Sequence, residues 1–408
     1  MSVIGSMART ANAETLLDAI KAAYLNNPTL LAARARQEAL SETPEQARAG
    51  GRLTATVDVG GGYDKFGYGK GVGGTASTSL PIWTGGRVRS AVRAAEGDVA
   101  AGKESLRDIE AGILELVVAT YANLLYDQQA VSIAQADIAL LDNQVADSRL
   151  RFKLGNATRT DVARLEAQRA SAQATLASAQ ATLMTDAAQY RAVVGREAEQ
   201  LAPIAVSVSF PTTIDEAKAR ALSANPLFQQ SQRVADATAA RVDQARANGN
   251  PSLTLGAAYG EDVNFALQSH RDFPVTANAG VTLHIPLLTG GLIPSQIRQA
   301  QAGHRAALSD VDAASREAVR SAEAAWAAFV GSKARTVAND QSARAADLAL
   351  KGVRAEYAFG LRSTLDILVA DESLRGAQLA LARSQSDTLI AQAALLRATG
   401  RLDDTAFQ

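Results

Sequence analysis

Few residues in this chain have a type and spacing that could do chemistry. The sequence holds three histidines and no cysteine, which excludes disulfides, thiol catalysis and Cys-ligated metal. His270, His284 and His304 lack any metal-ligand spacing, and no nucleophile–base pair stands out. Gly67-x-Gly69-x-Gly71 has the outward form of a phosphate loop, but a Ser/Thr-rich strand-like run follows it where a helix is required. An exterior hairpin loop fits better, with Tyr63, Phe66 and Tyr68 near a membrane interface. No catalytic, cofactor-binding or metal residue is expected, and the chain reads as a non-enzyme.

The polar residues with informative spacing are caps. Within Arg354–Asp371, Gly360 suits the left-handed position that ends a helix, because it has no Cβ to clash there. Ser363, with Asp366 three residues later, reads as the N-cap and acidic first turn of the next helix. The stretch recurs as Arg149–Glu166, where Gly155, Thr158 and Asp161 take the matching places. A bend used twice implies two long helical hairpins.

The duplication runs through the whole chain. Asn27-Pro28 matches Asn225-Pro226, and Leu80-Pro81-Ile82-Trp83-Thr84-Gly85-Gly86 matches Ile285-Pro286-Leu287-Leu288-Thr289-Gly290-Gly291. Tyr121 matches Trp326, and Gly195-Arg196 matches Gly400-Arg401. The halves are expected at 14–205 and 206–408, with long hairpins over 87–198 and 292–400. A second helix is expected from Thr29 to about Ala49, and its counterpart from Leu227 to about Ala247. A helix from about Arg87 to Lys153 would span roughly 100 Å at 1.5 Å per residue, longer than a compact domain is wide. It belongs to a rod or a tube.

Strands are expected at about 53–62, 72–82, 252–260 and 275–287, two in each half. Val275, Ala277, Ala279, Val281, Leu283 and Ile285 alternate with Thr276, Asn278, Gly280, Thr282 and His284. Leu53, Ala55, Val57 and Val59 alternate likewise with Thr54, Thr56 and Asp58. One apolar and one polar face over such lengths suit transmembrane β-barrel strands. Four strands cannot close a barrel, and an open edge is not tolerated in lipid. Identical chains must complete it, and three chains with twelve strands leave a useful aqueous bore. A soluble helical scaffold would explain the hairpins but leave these strands idle.

Bulk properties agree. The chain of 408 residues can bury a large area, and its formal charge of −1 gives no general attraction for nucleic acid. Aromatic residues are only 5%, while much of the 47% apolar fraction is alanine, which suits close-packed helices. No apolar run is expected to be long enough for a membrane-spanning helix. Ala11-Asn12-Ala13 has the form of a signal-peptidase site, so residues 1–13 are expected to be a signal-peptide remnant.

With these parts in order, the chain resembles the TolC family of outer-membrane channel proteins. The resemblance covers nearly the whole length and is strongest from Tyr357 to Leu368 and along the following helix to Gly400. Leu/Ile-Pro-x-x-Thr-Gly-Gly before each long helix is also typical. The resemblance implies a mostly α chain with duplicated halves and a membrane β-barrel part, assembled as a homotrimer. A twelve-stranded barrel in outer-membrane lipid would continue into an α-helical periplasmic tunnel. Implied partners are a periplasmic adaptor (membrane fusion) protein and an inner-membrane ABC or proton-driven transporter. The implied task is type I protein secretion or efflux; the lack of a cysteine after Ala13 favours the unlipidated, secretion-type branch. By position, Asp161, Tyr357, Arg362 and Asp366 would form the periplasmic gate, Tyr357 and Arg362 donating to Asp161. Val369 stands where some relatives carry a second acid, which weakens any cation ring at Asp366. Leu154, Gly155, Asn156, Phe359, Gly360 and Leu361 would be the hairpin tips that touch the adaptor.

Overall fold

A computed structural model describes residues 13–64, 69–198, 200–202, 210–264 and 275–403. The expected signal remnant, apart from Ala13, lies outside these residues, as do Phe66, Gly67, Tyr68 and His270. In chain order the elements are α1 (Leu16–Asn26), α2 (Pro28–Ser41), α3 (Thr43–Ala49), β1 (Thr54–Asp64), β2 (Gly69–Trp83), α4 (Arg87–Lys153) and α5 (Arg159–Val194). Then come α6 (Ile214–Ala224), α7 (Pro226–Ala247), β3 (Ser252–Asn264), β4 (Val275–His284), α8 (Leu292–Ala358) and α9 (Thr364–Ala398). α4 and α8 have 67 residues each.

The chain divides into two compact units, each drawing on both halves. One comprises Met1–Ala33, Arg107–Pro226 and Arg316–Gln408; the other comprises Arg34–Leu106 and Leu227–Ser315. In the first unit, Leu16 and Ile20 of α1, Leu114, Val117 and Tyr121 of α4, Tyr190 of α5 and Leu396 of α9 form the main core. The repeated Asn-Pro has a structural reason here. Asn27 donates from its side chain to Val193 O at 2.9 Å, and Asn225 to Ala398 O at 3.1 Å. Each asparagine thus ties a helix break to the end of the returning helix of its own half. It also satisfies a helix-terminal carbonyl that would otherwise be unpaired.

The second unit carries an antiparallel sheet in the order β1-β2-β3-β4, with β2–β3 joining the halves and β1 and β4 as edges. Register puts Val57, Ala76, Tyr259 and Ala277 in one row across all four strands, and Thr56, Ser77, Ala258 and Asn278 in the next. Neighbouring rows point to opposite faces, so one face is the more apolar and the other carries hydroxyls. Every residue of β4 is exposed, so none of the described residues covers that strand. Both Thr-Gly-Gly repeats turn the chain from sheet into helix. Gly85 and Gly86 have φ of 61° and 93°, and Gly290 and Gly291 have 58° and 82°, values that residues with a Cβ rarely adopt.

The structure corrects three expectations. The helix expected from Thr29 to Ala49 breaks into α2 and α3, because Pro44 at the start of α3 cannot donate to the preceding turn. The matching α7 has no internal proline and runs unbroken for 22 residues. β4 ends at His284 rather than 287, next to Pro286, which has no N–H for a ladder. Finally, α4 does contain an 18-residue window apolar enough for a membrane span by composition, 44% of it buried within the chain. Leu114, Val117, Val118 and Leu124 of this helix are core residues, which accounts for the apolarity.

Candidate functional site

The two hairpin bends are built alike. Asn156 N–H donates to Arg151 O at 2.8 Å and Gly155 N–H to Phe152 O at 3.0 Å. In the second bend Leu361 N–H donates to Glu356 O at 3.0 Å and Gly360 N–H to Tyr357 O at 2.9 Å. This pair of bonds is the Schellman closure, which needs a left-handed residue; Gly155 has φ 78° and Gly360 has φ 75°. Beyond each glycine lies a reciprocal cap. Thr158 N–H and Oγ1–H both donate to Asp161 Oδ2, at 3.0 and 2.7 Å, while Asp161 N–H returns to Thr158 Oγ1 at 3.2 Å. Ser363 and Asp366 repeat this with 2.8, 2.8 and 3.3 Å. The Thr158 bonds hold the Asp161 carboxyl below its ordinary range, and the Ser363 bonds do the same for Asp366.

Ion pairs close each bend at its base. Arg149 Nε donates to Glu166 at 3.0 Å, and Arg354 sits 3.7 Å from Asp371 at the matching positions of the second half. Arg362 bonds Glu356 across its own tip at 2.6 Å, which raises the guanidinium's pKa. Within one chain, therefore, Arg362 meets Glu356, and the Asp161 carboxylate is taken up by its cap. Tyr357 instead has the Arg151 guanidinium 5.1 Å from its ring centre, and Arg151 is also bonded to Asp147 at 2.9 Å. A cleft of about 520 Å³ brings Tyr357, Asp161, Arg151, Arg164 and Ser363 together between the hairpins. Leu154, Phe359 and Leu361 at the tips are 67%, 83% and 74% exposed.

Deeper in the same unit, Arg375 of α9 donates to Asp137 of α4 at 2.6 Å and to Asp371 at 3.0 Å. Sequence reasoning missed Arg151, Glu356 and Arg375. The spacing of Asp147 and Arg151 was a readable signal, since residues four apart share a helix face. Nothing local marks Arg375, whose partner Asp137 is remote in sequence. Among the described residues no group of three His, Asp or Glu side chains could hold a metal. His304 meets Thr238 at 3.1 Å. The exposed ion pairs at the bends, Arg149–Glu166 and Arg362–Glu356, contribute little to stability, so the bends are joined by contacts that can be exchanged. Such contacts hold the helices of each bend together.

Residues 19–196 and 218–401 each match the outer membrane efflux protein family. The chain is 32% identical to the outer membrane efflux protein BepC of Brucella suis over 97% of its own length and 87% of that protein. It is 26% identical to the outer membrane protein TolC of Escherichia coli K12, covering 97% of this chain and 84% of that one. The solved structure of the outer membrane protein VceC of Vibrio cholerae superimposes with a TM-score of 0.76 at 24% identity, over 94% of this chain and 96% of that one.

Proposed function

This chain belongs to the outer membrane efflux protein family and is an outer-membrane export channel, and from that premise we propose that three copies assemble into one conduit gated at its hairpin bends. The observation that supports assembly is the open sheet. β1 and β4 each present an unpaired edge, and an edge in lipid must be paired. Joining β1 of one copy to β4 of the next closes a ring with no edge left, its hydroxyl-bearing rows facing water.

The gate rests on Asp161, Tyr357, Arg362 and Asp366, all within the turns next to the bends. In the closed assembly Arg362 and Tyr357 of one hairpin engage its neighbours, and opening exchanges those contacts for the pairs Arg362–Glu356 and Arg151–Tyr357 seen within a single chain. The exposed Leu154, Phe359 and Leu361, set beside Gly155, Asn156 and Gly360, are the surface offered to a periplasmic adaptor. An inner-membrane transporter then supplies the energy and selects the cargo, which places the chain in protein secretion or efflux. The gate is tested by single-channel recording in planar bilayers. Tyr357→Phe combined with Arg362→Ser should raise conductance severalfold, and wild-type conductance in the double variant would refute this gate.

A further inference from the structure

The first hairpin holds an acid pair that neither its caps nor its core accounts for. Asp127 of α4 is only 4% exposed, and its Oδ2 has no hydrogen-bond partner. It lines a cavity of about 360 Å³ with Tyr126, Asp137, Thr182 and Arg375. Asp186 on α5 is the acid that acts on it across the seam. The contact lies in the ordinary antiparallel register of the seam. Going from the bend toward the base, Arg149 faces Glu166, Asp142 faces Arg169 and Asp127 faces Asp186. The first two rungs oppose unlike charges, whereas the third opposes two acids.

A buried carboxylate with an unpartnered oxygen, set opposite a second acid, disfavours the doubly ionised state, so the pair holds a proton. Among the described residues no ion pair reaches Asp127. Arg383 of α9 is the cation that acts on it, but that guanidinium is engaged by Asp387 at 3.1 Å, by Asn123 at 3.4 Å and by the Tyr126 ring. Asp137 in the same cavity is already paired with Arg375. The second half supplies an internal control. At the positions matching Asp127 and Asp186 it has Ser332 and Ala391, both buried, so the hairpin design packs without acids there.

We propose that Asp127 and Asp186 form a proton-binding site that clasps α4 to α5 and lets go when the proton leaves, making the first hairpin, and not the second, responsive to pH. Burial, then Asp186 across the seam, push the Asp127 carboxyl up to about 7, with Arg383 opposing. A carboxyl raised in the folded state stabilises fully below its unfolded pKa, and that stabilisation is lost as pH rises through the folded value. The clasp is therefore closed in acid and open in mild alkali. The site lies within one chain and does not depend on the gate or on trimer assembly.

Infrared titration of the full-length protein in detergent tests the site directly, run from about pH 5 to about pH 9 to bracket the shifted group. Wild type should lose a protonated-carboxyl band with a midpoint near neutrality; Asp127→Asn should abolish it, and Asp186→Asn should lower its midpoint. Hydrogen exchange, corrected for its intrinsic pH dependence, should show protection in α4 and α5 falling about tenfold across that midpoint, with α8 and α9 unchanged. In Asp127→Asn the protection should be flat with pH. A wild-type spectrum without such a band, a band surviving in Asp127→Asn, an unmoved midpoint in Asp186→Asn, or equal loss of protection in the two hairpins would overturn the proposal.

Discussion

Gly400 has φ of 68°, and a Cβ added there would lie 2.1 Å from Ala224 O and 2.4 Å from its carbonyl carbon. Gly155 has a similar φ of 78°, yet nothing stands within 4 Å of its missing Cβ. The two glycines therefore separate backbone strain from close approach. Gly155→Ala should cost only the left-handed penalty, about 1 kcal/mol. Gly400→Ala adds a clash with backbone that cannot swing aside, and should cost more than about 2 kcal/mol. Denaturant unfolding of the two variants side by side checks the difference. Equal costs would mean that the contact with Ala224 relaxes freely. The clash is particular to the second half: a Cβ on Gly195 would meet Asn26 Cβ at 3.5 Å, an ordinary contact, so that glycine is required by its φ of 87° alone.

At the scale of the element, a hairpin is held by how its charges are paired across the seam. Arg375 joins α9 to α4 with a side chain 20% exposed, against Asp137 and Asp371 at 3% and 7%. Burial pushes the Asp137 carboxyl up, and Arg375 opposes that shift. Arg375→Ala would leave buried carboxylates without their closest cation and should destabilise by about 3 kcal/mol or more. Neutralising the partners as well, in Arg375→Met with Asp137→Asn and Asp371→Asn, should recover much of that loss. Urea unfolding measures both; a single variant as stable as wild type would show that water already satisfies these acids. The same seam logic makes the Asp127–Asp186 rung exceptional. The second hairpin replaces this rung with Ser332 and Ala391.

For the whole molecule, the unfinished sheet is the feature that demands company. Because the chain has no cysteine, introduced ones report without interference. Val57→Cys in β1, combined in turn with Ala277→Cys, Asn278→Cys and Ala279→Cys in β4, samples the adjoining edges. A disulfide forms only where Cα atoms come within about 7 Å. At least one combination should give covalent trimers from membranes under oxidising conditions. Monomers throughout the scan would mean that these edges do not meet.

Much of the protein was legible in the amino-acid order because its design is local and doubled. Glycine marks the left-handed bends, Thr158 and Ser363 with their aspartates mark helix starts, and the alternation from Val275 to Leu283 marks a strand with two unlike faces. Each of these depends on residues within a few positions of one another, so spacing alone exposes it. The proline break between α2 and α3 belonged to the same class and was overlooked. Tertiary structure alone decided the rest: that Asn27 reaches Val193, that Arg362 turns to Glu356, that Arg375 serves Asp137, and that Asp127 faces Asp186. Those pairings come from where antiparallel helices lie against one another. A shift of one residue in that packing would rotate a helix face by roughly 100°, assigning every charge a different neighbour.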